Sequence, residues 1–278
     1  MVENKLHSIV KKELTDVWHH PKSKLILIIM IIIPIVDLCM VFWPWARELI
    51  FYGDAYEDVD LFIKQMPHPS RGAFLSGASH GHIPQMLLMW LLPFYVLSIY
   101  ADSHVNEYKL GYDILLVTRK KKTDIFGGKI ISGFITGFTA FFISLSINYL
   151  LCIILFYKGK SFSGLEIYAE EIPLLDLSIS HPILTYIVYI ILSSIIAGLC
   201  SMMCVALSYI FKNHKLLYAI SIIAWFVQIS YKYSIVYVMQ PFTEYGLEIM
   251  ATSFCIFLAI VFISIVAGFF SGPRRDML

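Results

Sequence analysis

The sequence predicts an all-α polytopic membrane protein: six transmembrane helices preceded by an amphipathic helix that lies at the membrane interface. Three observations predict it. The 278 residues are 58% hydrophobic and only 15% charged, with a mean hydropathy of +0.74. A soluble domain carries about 25% charged residues. Apolar side chains this abundant cannot all be hidden inside one soluble globule, and a bilayer removes the problem. Second, the apolar residues gather into six runs, near 25–41, 83–101, 130–157, 183–211, 216–230 and 249–270. Third, Lys and Arg alternate from one connecting segment to the next. Together these exclude a soluble enzyme, a disordered chain and a collagen-like fibre. A net charge of +1 argues against nucleic-acid binding.

The opening residues 1–23 read as a cytoplasmic elbow. Leu6, Ile9, Val10, Leu14, Val17 and Trp18 recur at helical spacing, with Lys5, Lys12 and Asp16 off the stripe, which predicts a helix flat on the inner leaflet. Pro21 ends it. The remainder, 24–278, is the transmembrane domain.

A crossing needs about 20 apolar residues. Four of the runs reach or approach that length, the first extends through Phe42 and Trp43, and the fifth is the shortest. The first run lacks a small-residue cleavage site, so it reads as a span, with Trp43 and Trp45 in an interfacial belt. With the N-terminus in the cytoplasm, six of the 21 Lys and Arg (Arg47, Lys64, Arg71, Lys158, Lys160 and Lys232) fall outside and the others inside. That asymmetry predicts six spans with both termini cytoplasmic.

Two outer loops, 44–82 and 158–182, are acidic. The first holds enough aromatics (Phe51, Tyr52, Tyr56, Phe62) to predict a short packed helix. Residues 231–248, with Gln240-Pro241 and several aromatics, are too apolar for a free loop. They read as a re-entrant segment, or as a longer fifth helix ending near Val238.

Catalytic signatures are absent. There is no H-E-x-x-H motif and no G-x-S-x-G elbow, and Gly127-Gly128-Lys129-Ile130 lacks the first glycine and the Ser/Thr of a phosphate loop. The chain reads as a non-enzyme with no cofactor of its own. Metal pairs at Cys200/Cys204 and His80/His82 are weaker readings than buried thiols and interface histidines. Asp37 is the one ionisable residue well inside a span, read first as a structural hydrogen-bonding group and second as a proton or substrate contact. Asn148 and Gln228 read as interhelical glue, and Gly133/Gly137 and Ser194/Gly198 as close-approach helix faces.

The inner loop 102–129 carries the most information. Glu107 leads a helix-capable stretch, Gly111 allows a turn, Ile114 to Val117 form an apolar knob, and Arg119 to Lys122 are basic. An apolar knob on a charged loop marks a docking surface.

With these features in place, the chain resembles the membrane (permease) subunit of type-2 ABC transporters, exporter class. Those subunits are similar in their elbow helix, six spans, coupling helix between spans two and three, and re-entrant hairpin before span six. Their inner loop runs Glu, Gly, a Leu-rich stretch, a turn and a Lys, here Glu107, Gly111, Leu115-Leu116, Thr118-Arg119 and Lys129. Tyr112 replaces the frequent Thr, and Arg119-Lys120 the usual proline. The resemblance implies a plasma-membrane transport subunit that works with a separate ABC ATPase, which binds ATP and Mg, and with a second permease chain, homo- or heterodimeric. It implies coupling through Glu107, Gly111, Tyr112, Leu115, Leu116 and Arg119. Spans two and five would line the path, with Trp90, Tyr95, Gln228 and Tyr231 as path residues beside Asp37. The implied activity is export of a peptide antibiotic, drug or lipid-linked molecule. The competing readings are an ATP-independent secondary transporter or channel and a non-transporting immunity protein.

Overall fold

In the computed structural model the described residues are 3–52, 59–76, 83–112, 118, 120–162, 175–242 and 246–271. Among them the chain is all helical, apart from one isolated bridge between Pro67 and Ser161. The elements are α1 (Glu3–His19), α2 (Pro21–Tyr52), α3 (Val59–Gln65), α4 (Pro69–Gly72), α5 (Ile83–Trp90), α6 (Leu92–Val96), α7 (Ser103–Lys109), α8 (Lys122–Leu155), α9 (Leu175–Ser180), α10 (Pro182–Ile210), α11 (His214–Ser230), α12 (Val236–Met239) and α13 (Leu247–Ser271). A 3₁₀ turn spans Phe74–Ser76 and a π turn Leu97–Ala101.

Every apolar run is helical. The helices α2, α8, α10 and α13 are each long and apolar enough to cross a membrane; α5 and the stretch Leu92–Ala101, bent by 56°, make a fifth candidate if they form one broken span. The chain is a membrane protein with four or five such spans, and α11 is a shorter apolar helix of 17 residues.

The helix α10 is the centre of the bundle. Within its most apolar stretch 72% of residues are buried, against 17% in α13 and 22% in α2. The seam between α8 and α10 depends on small residues: a Cβ at Gly137 would stand 2.7 Å from the Ala197 carbonyl oxygen, and one at Gly198 would stand 2.8 Å from the Phe134 ring. Glycine therefore lets the two backbones touch, as the spacing predicts.

Two prolines interrupt helix hydrogen-bond ladders, and each freed carbonyl is capped from a neighbour. Proline removes the N–H that would bond four residues back. Pro34 thus frees the Met30 carbonyl, to which Ser144 Oγ donates at 2.5 Å. Pro93 frees the Met89 carbonyl, to which the buried Trp225 Nε1–H donates at 2.9 Å. One turn along α8, Asn148 Nδ2 donates to the Pro34 carbonyl at 2.8 Å. The paired positions Met30/Ser144 and Pro34/Asn148 show that α2 and α8 run parallel. The end of α13 reaches the start of α8, with Phe126 and Phe269 rings 5.6 Å apart, so α1 and the end of α13 share one end of the bundle.

Three differences from the sequence reading follow. First, α2 continues helically through Pro44 to Tyr52, so the loop after it starts later than residue 44. Second, Pro69–Ser76 is not a surface loop: all of it except Arg71 is buried. Its backbone is satisfied by remote side chains, as burial requires. Asn148 Oδ1 accepts from Phe74 N (3.2 Å), the Tyr186 hydroxyl from Leu75 N (3.0 Å), and Gln85 Nε2 donates to the Phe74 carbonyl (3.0 Å). Third, α11 stops at Ser230 and α12 is a separate short turn, so the longer fifth helix is not formed. The packed helix in the first loop exists as α3, whose Phe62 ring lies 5.5 Å from that of Trp45.

Candidate functional site

The densest group of charged side chains lies where α1, α7 and α8 meet. On α7, His104 and Glu107 are one turn apart and therefore share a face. Lys129 sits two turns into α8 and is fully buried. Its Nζ donates to Glu107 Oε2 at 2.5 Å and stands 5.9 Å from the centre of the Tyr209 ring. His104 Nδ1 approaches the same Glu107 oxygen at 3.4 Å, and its ring meets Tyr100 edge-on at 4.7 Å. The Tyr100 hydroxyl donates to Glu13 Oε2 at 3.0 Å, which brings a buried carboxylate of α1 into the group. Burial alone would raise the Glu107 carboxyl, but His104 and Lys129 outweigh it and hold it at about 2.

Ligand atoms of Glu13, His104 and Glu107 all lie within 4.8 Å of one another, which is metal-site spacing. The Lys129 ammonium already stands 2.5 Å from one of those carboxylates. The Lys129 ammonium thus gives Glu107 a positive partner from within the chain.

Around this core the same end is stitched by exposed contacts. Lys12 Nζ donates to the Tyr112 hydroxyl at 2.5 Å, so Tyr112 ties the turn after α7 to α1. Asp102 accepts from Lys22 Nζ (2.5 Å) and from the Tyr218 hydroxyl (3.0 Å), joining α2 and α11 to the end of the bent span. Gly111 has φ +71°, a left-handed turn conformation that favours glycine. Just before it, Leu110 is 83% exposed, the most exposed large apolar residue described. Leu115, Leu116 and Arg119, like His80 and His82, lie outside the described residues.

The structure separates the path residues. Trp90 on α5 stacks edge-on against Phe226 of α11 at 6.0 Å and is partly exposed. Tyr95 is buried on α6, its hydroxyl 3.4 Å from the Leu87 carbonyl. Gln228 is buried at the end of α11 and donates to the Tyr233 carbonyl at 3.4 Å, a local bond within one connection rather than one between spans. Tyr231 is exposed beside Tyr233. Of the four, Trp90 lies on the packing of α5 against α11. Asp37 does not join them: it is buried on α2 within electrostatic range of Cys152 on α8 and Tyr186 on α10. Cys200 and Cys204 are buried, and neither belongs to a metal-spaced group among the described residues.

Over 266 residues the chain is 31% identical to the uncharacterized protein YybM of Bacillus subtilis (strain 168), a match covering 95% of each chain. The chain belongs to the YybM family. No family model and no solved structure matches it. Because the alignment takes in nearly all of both chains, the unit this family shares is the whole helical body.

Sequence reasoning singled out Glu107 and aligned Lys129 with it, but missed Glu13, Tyr100 and His104. Glu13 left a readable signal. It falls midway between Ile9 and Val17, four residues from each, inside the apolar stripe of α1. A carboxylate there has to meet a donor. Tyr100 and His104 left none, since an aromatic and a histidine at the end of a span are ordinary.

Proposed function

We propose that this chain is the permease subunit of an ATP-driven exporter of the type-2 ABC class, with six spans and both termini cytoplasmic. A separate ATPase would dock on the segment running from Glu107 through Gly111 and Tyr112 to Arg119. The observation that carries the reading is the junction after the bent span. There α7 is fixed to α8 by the Glu107–Lys129 pair, Gly111 takes a left-handed turn conformation, and Leu110 projects from the surface. A docking element needs both features: an exposed apolar contact for the partner and a rigid link from it into the spans.

Two further facts support the count of six. At 1.5 Å per residue α11 is about 26 Å long, and the apolar segment after it adds the missing length. The parallel course of α2 and α8 matches spans one and three, while α1 and the end of α13 share one end, as two cytoplasmic termini require. In this reading two copies, or this chain and a related one, enclose the path, and the cargo is a peptide antibiotic, drug or lipid-linked molecule.

The test is ATP hydrolysis by a candidate ABC ATPase reconstituted with this chain in liposomes. Stimulation by the parent chain, abolished by Leu110→Glu at unchanged membrane insertion, is the expected result. Substrate movement by the purified chain with no ATPase present would replace this reading with an ATP-independent transporter.

A further inference from the structure

We propose that Lys129 is a resident cation for the Glu13–His104–Glu107 group, paired directly with Glu107 and set beside rather than among the three donors, and that it keys α1 to α7 and α8 so that the three move as one body. The inference does not depend on the ATPase or on any substrate. The sequence casts α1 as a float on the lipid surface. In the structure its buried face is Ile9, Glu13 and Val17, and it packs along the start of α8. Ile9 touches Gly128 so closely that a Cβ there would meet its side chain at 2.7 Å. The next residue is Lys129. Tyr100 closes the group, donating to Glu13 at 3.0 Å with its hydroxyl 3.5 Å from the Lys129 carbonyl.

Charge explains why the apolar contact alone is insufficient. Glu13 and Glu107 present ligand atoms within 4.8 Å of each other. Without a cation beside them, the buried Glu13 carboxylate and the partly buried Glu107 carboxylate repel and draw in water, and α1 has to lift. Lys129 contributes an ammonium ion at 2.5 Å from Glu107 with no water exposure. The third donor residue, His104, is 3% exposed, and its Nε2 has no hydrogen-bond partner among the described residues. A group of donors built beside a cation accepts a substitute cation, whereas an apolar contact does not.

The experiment uses the full chain in liposomes, with exposed Cys39 and Cys255 replaced by alanine and Ile9→Cys as reporter. The rate of maleimide labelling reads the lifting of α1. Labelling is expected to be slow in this parent and about tenfold faster with Lys129→Ala, because removing the buried ammonium leaves the partly buried Glu107 and the buried Glu13 with uncompensated charge. Mn²⁺, a carboxylate-preferring ion, is expected to slow labelling of Lys129→Ala back toward the parent rate. It should have no effect once Glu13→Ala is added. Glu13→Gln, which keeps side-chain shape, is expected to accelerate labelling as well. Labelling at the parent rate in Lys129→Ala or in Glu13→Gln overturns the proposal. So does fast labelling of Lys129→Ala that Mn²⁺ leaves unchanged while helix content and elution match the parent. If Lys129→Ala does not insert, Glu13→Gln decides alone.

Discussion

At the α1 end, Glu13, Lys129 and the partly buried Glu107 set charge against charge, with His104 alongside. Around Pro69–Ser76 the hydrogen bonds run mainly through amides, hydroxyls and backbone, from Asn148, Tyr186, Gln85 and Ser70, with Arg71 donating to the Ser76 carbonyl and His68 accepting from Ser70 N at the segment's edge. Lys129 and Asn148 lie on the same helix, about 28 Å apart at 1.5 Å per residue. The contrast teaches how one bundle divides two tasks. A neutral network is insensitive to pH and suits a region that has to stay packed. An ionic network responds to protonation and to competing ions, and so suits a junction that transmits motion.

The largest effect is expected at the neutral end. Asn148→Ala would leave both the Pro34 carbonyl and Phe74 N without their side-chain partner. Orphaning the buried Phe74 N costs about 1–3 kcal/mol, and losing the second bond to the Pro34 carbonyl, which keeps its helix donor, about 0.5–1.5 kcal/mol, so a loss of about 2–4 kcal/mol is expected. Thermal unfolding in detergent measures it, and the loss should be the same at pH 7 and pH 4. A pH-dependent loss would show that the Asn148 bonds are coupled to a titrating group, either His68 at the edge of this segment or the ionic end.

The ionic end should respond to acid. The Glu107 carboxyl is held at about 2, below its ordinary 4.5. A lowered folded-state value means that the charged form stabilises the fold. That stabilisation is complete above about pH 4.5 and is lost as pH falls toward 2. Comparing unfolding midpoints of the parent and Glu107→Gln from pH 6 to pH 2.5 should show the two curves converging at low pH. Parallel curves would mean that the ion pair adds nothing.

Much of this was legible in advance. Apolar runs locate every long helix, Gly133 and Gly137 mark the α8–α10 seam, and Gly111 marks the turn after α7. What stayed hidden shares one cause. Pro69–Ser76 reads as an ordinary polar connection, and its burial depends on partners 74 and 111 residues away, Asn148 for Phe74 and Tyr186 for Leu75. Nothing local encodes those pairings. The extension of α2 through Pro44 was missed because charged residues such as Arg47 and Glu48 end an apolar run without ending a helix. Asn148 lies between: its polarity inside a span announces an interhelical bond, but not which carbonyl it meets.

The smallest effect concerns the bend between α5 and α6, where the α11 side of the molecule meets the broken span. Trp225→Phe keeps most of the buried ring and its packing on Phe257 but removes the N–H that caps the Met89 carbonyl. One uncapped carbonyl costs about 1–2 kcal/mol, less than the two bonds lost at Asn148. The destabilisation by itself would say little about the bend. Nitroxide labels on α5 and α7 separate the two possibilities. A broadened distance distribution at modest loss of stability means that Trp225 holds the 56° angle. An unchanged distribution means that Pro93 and the break at Leu91 fix the angle through the backbone alone, and that the indole only satisfies a carbonyl the proline left behind.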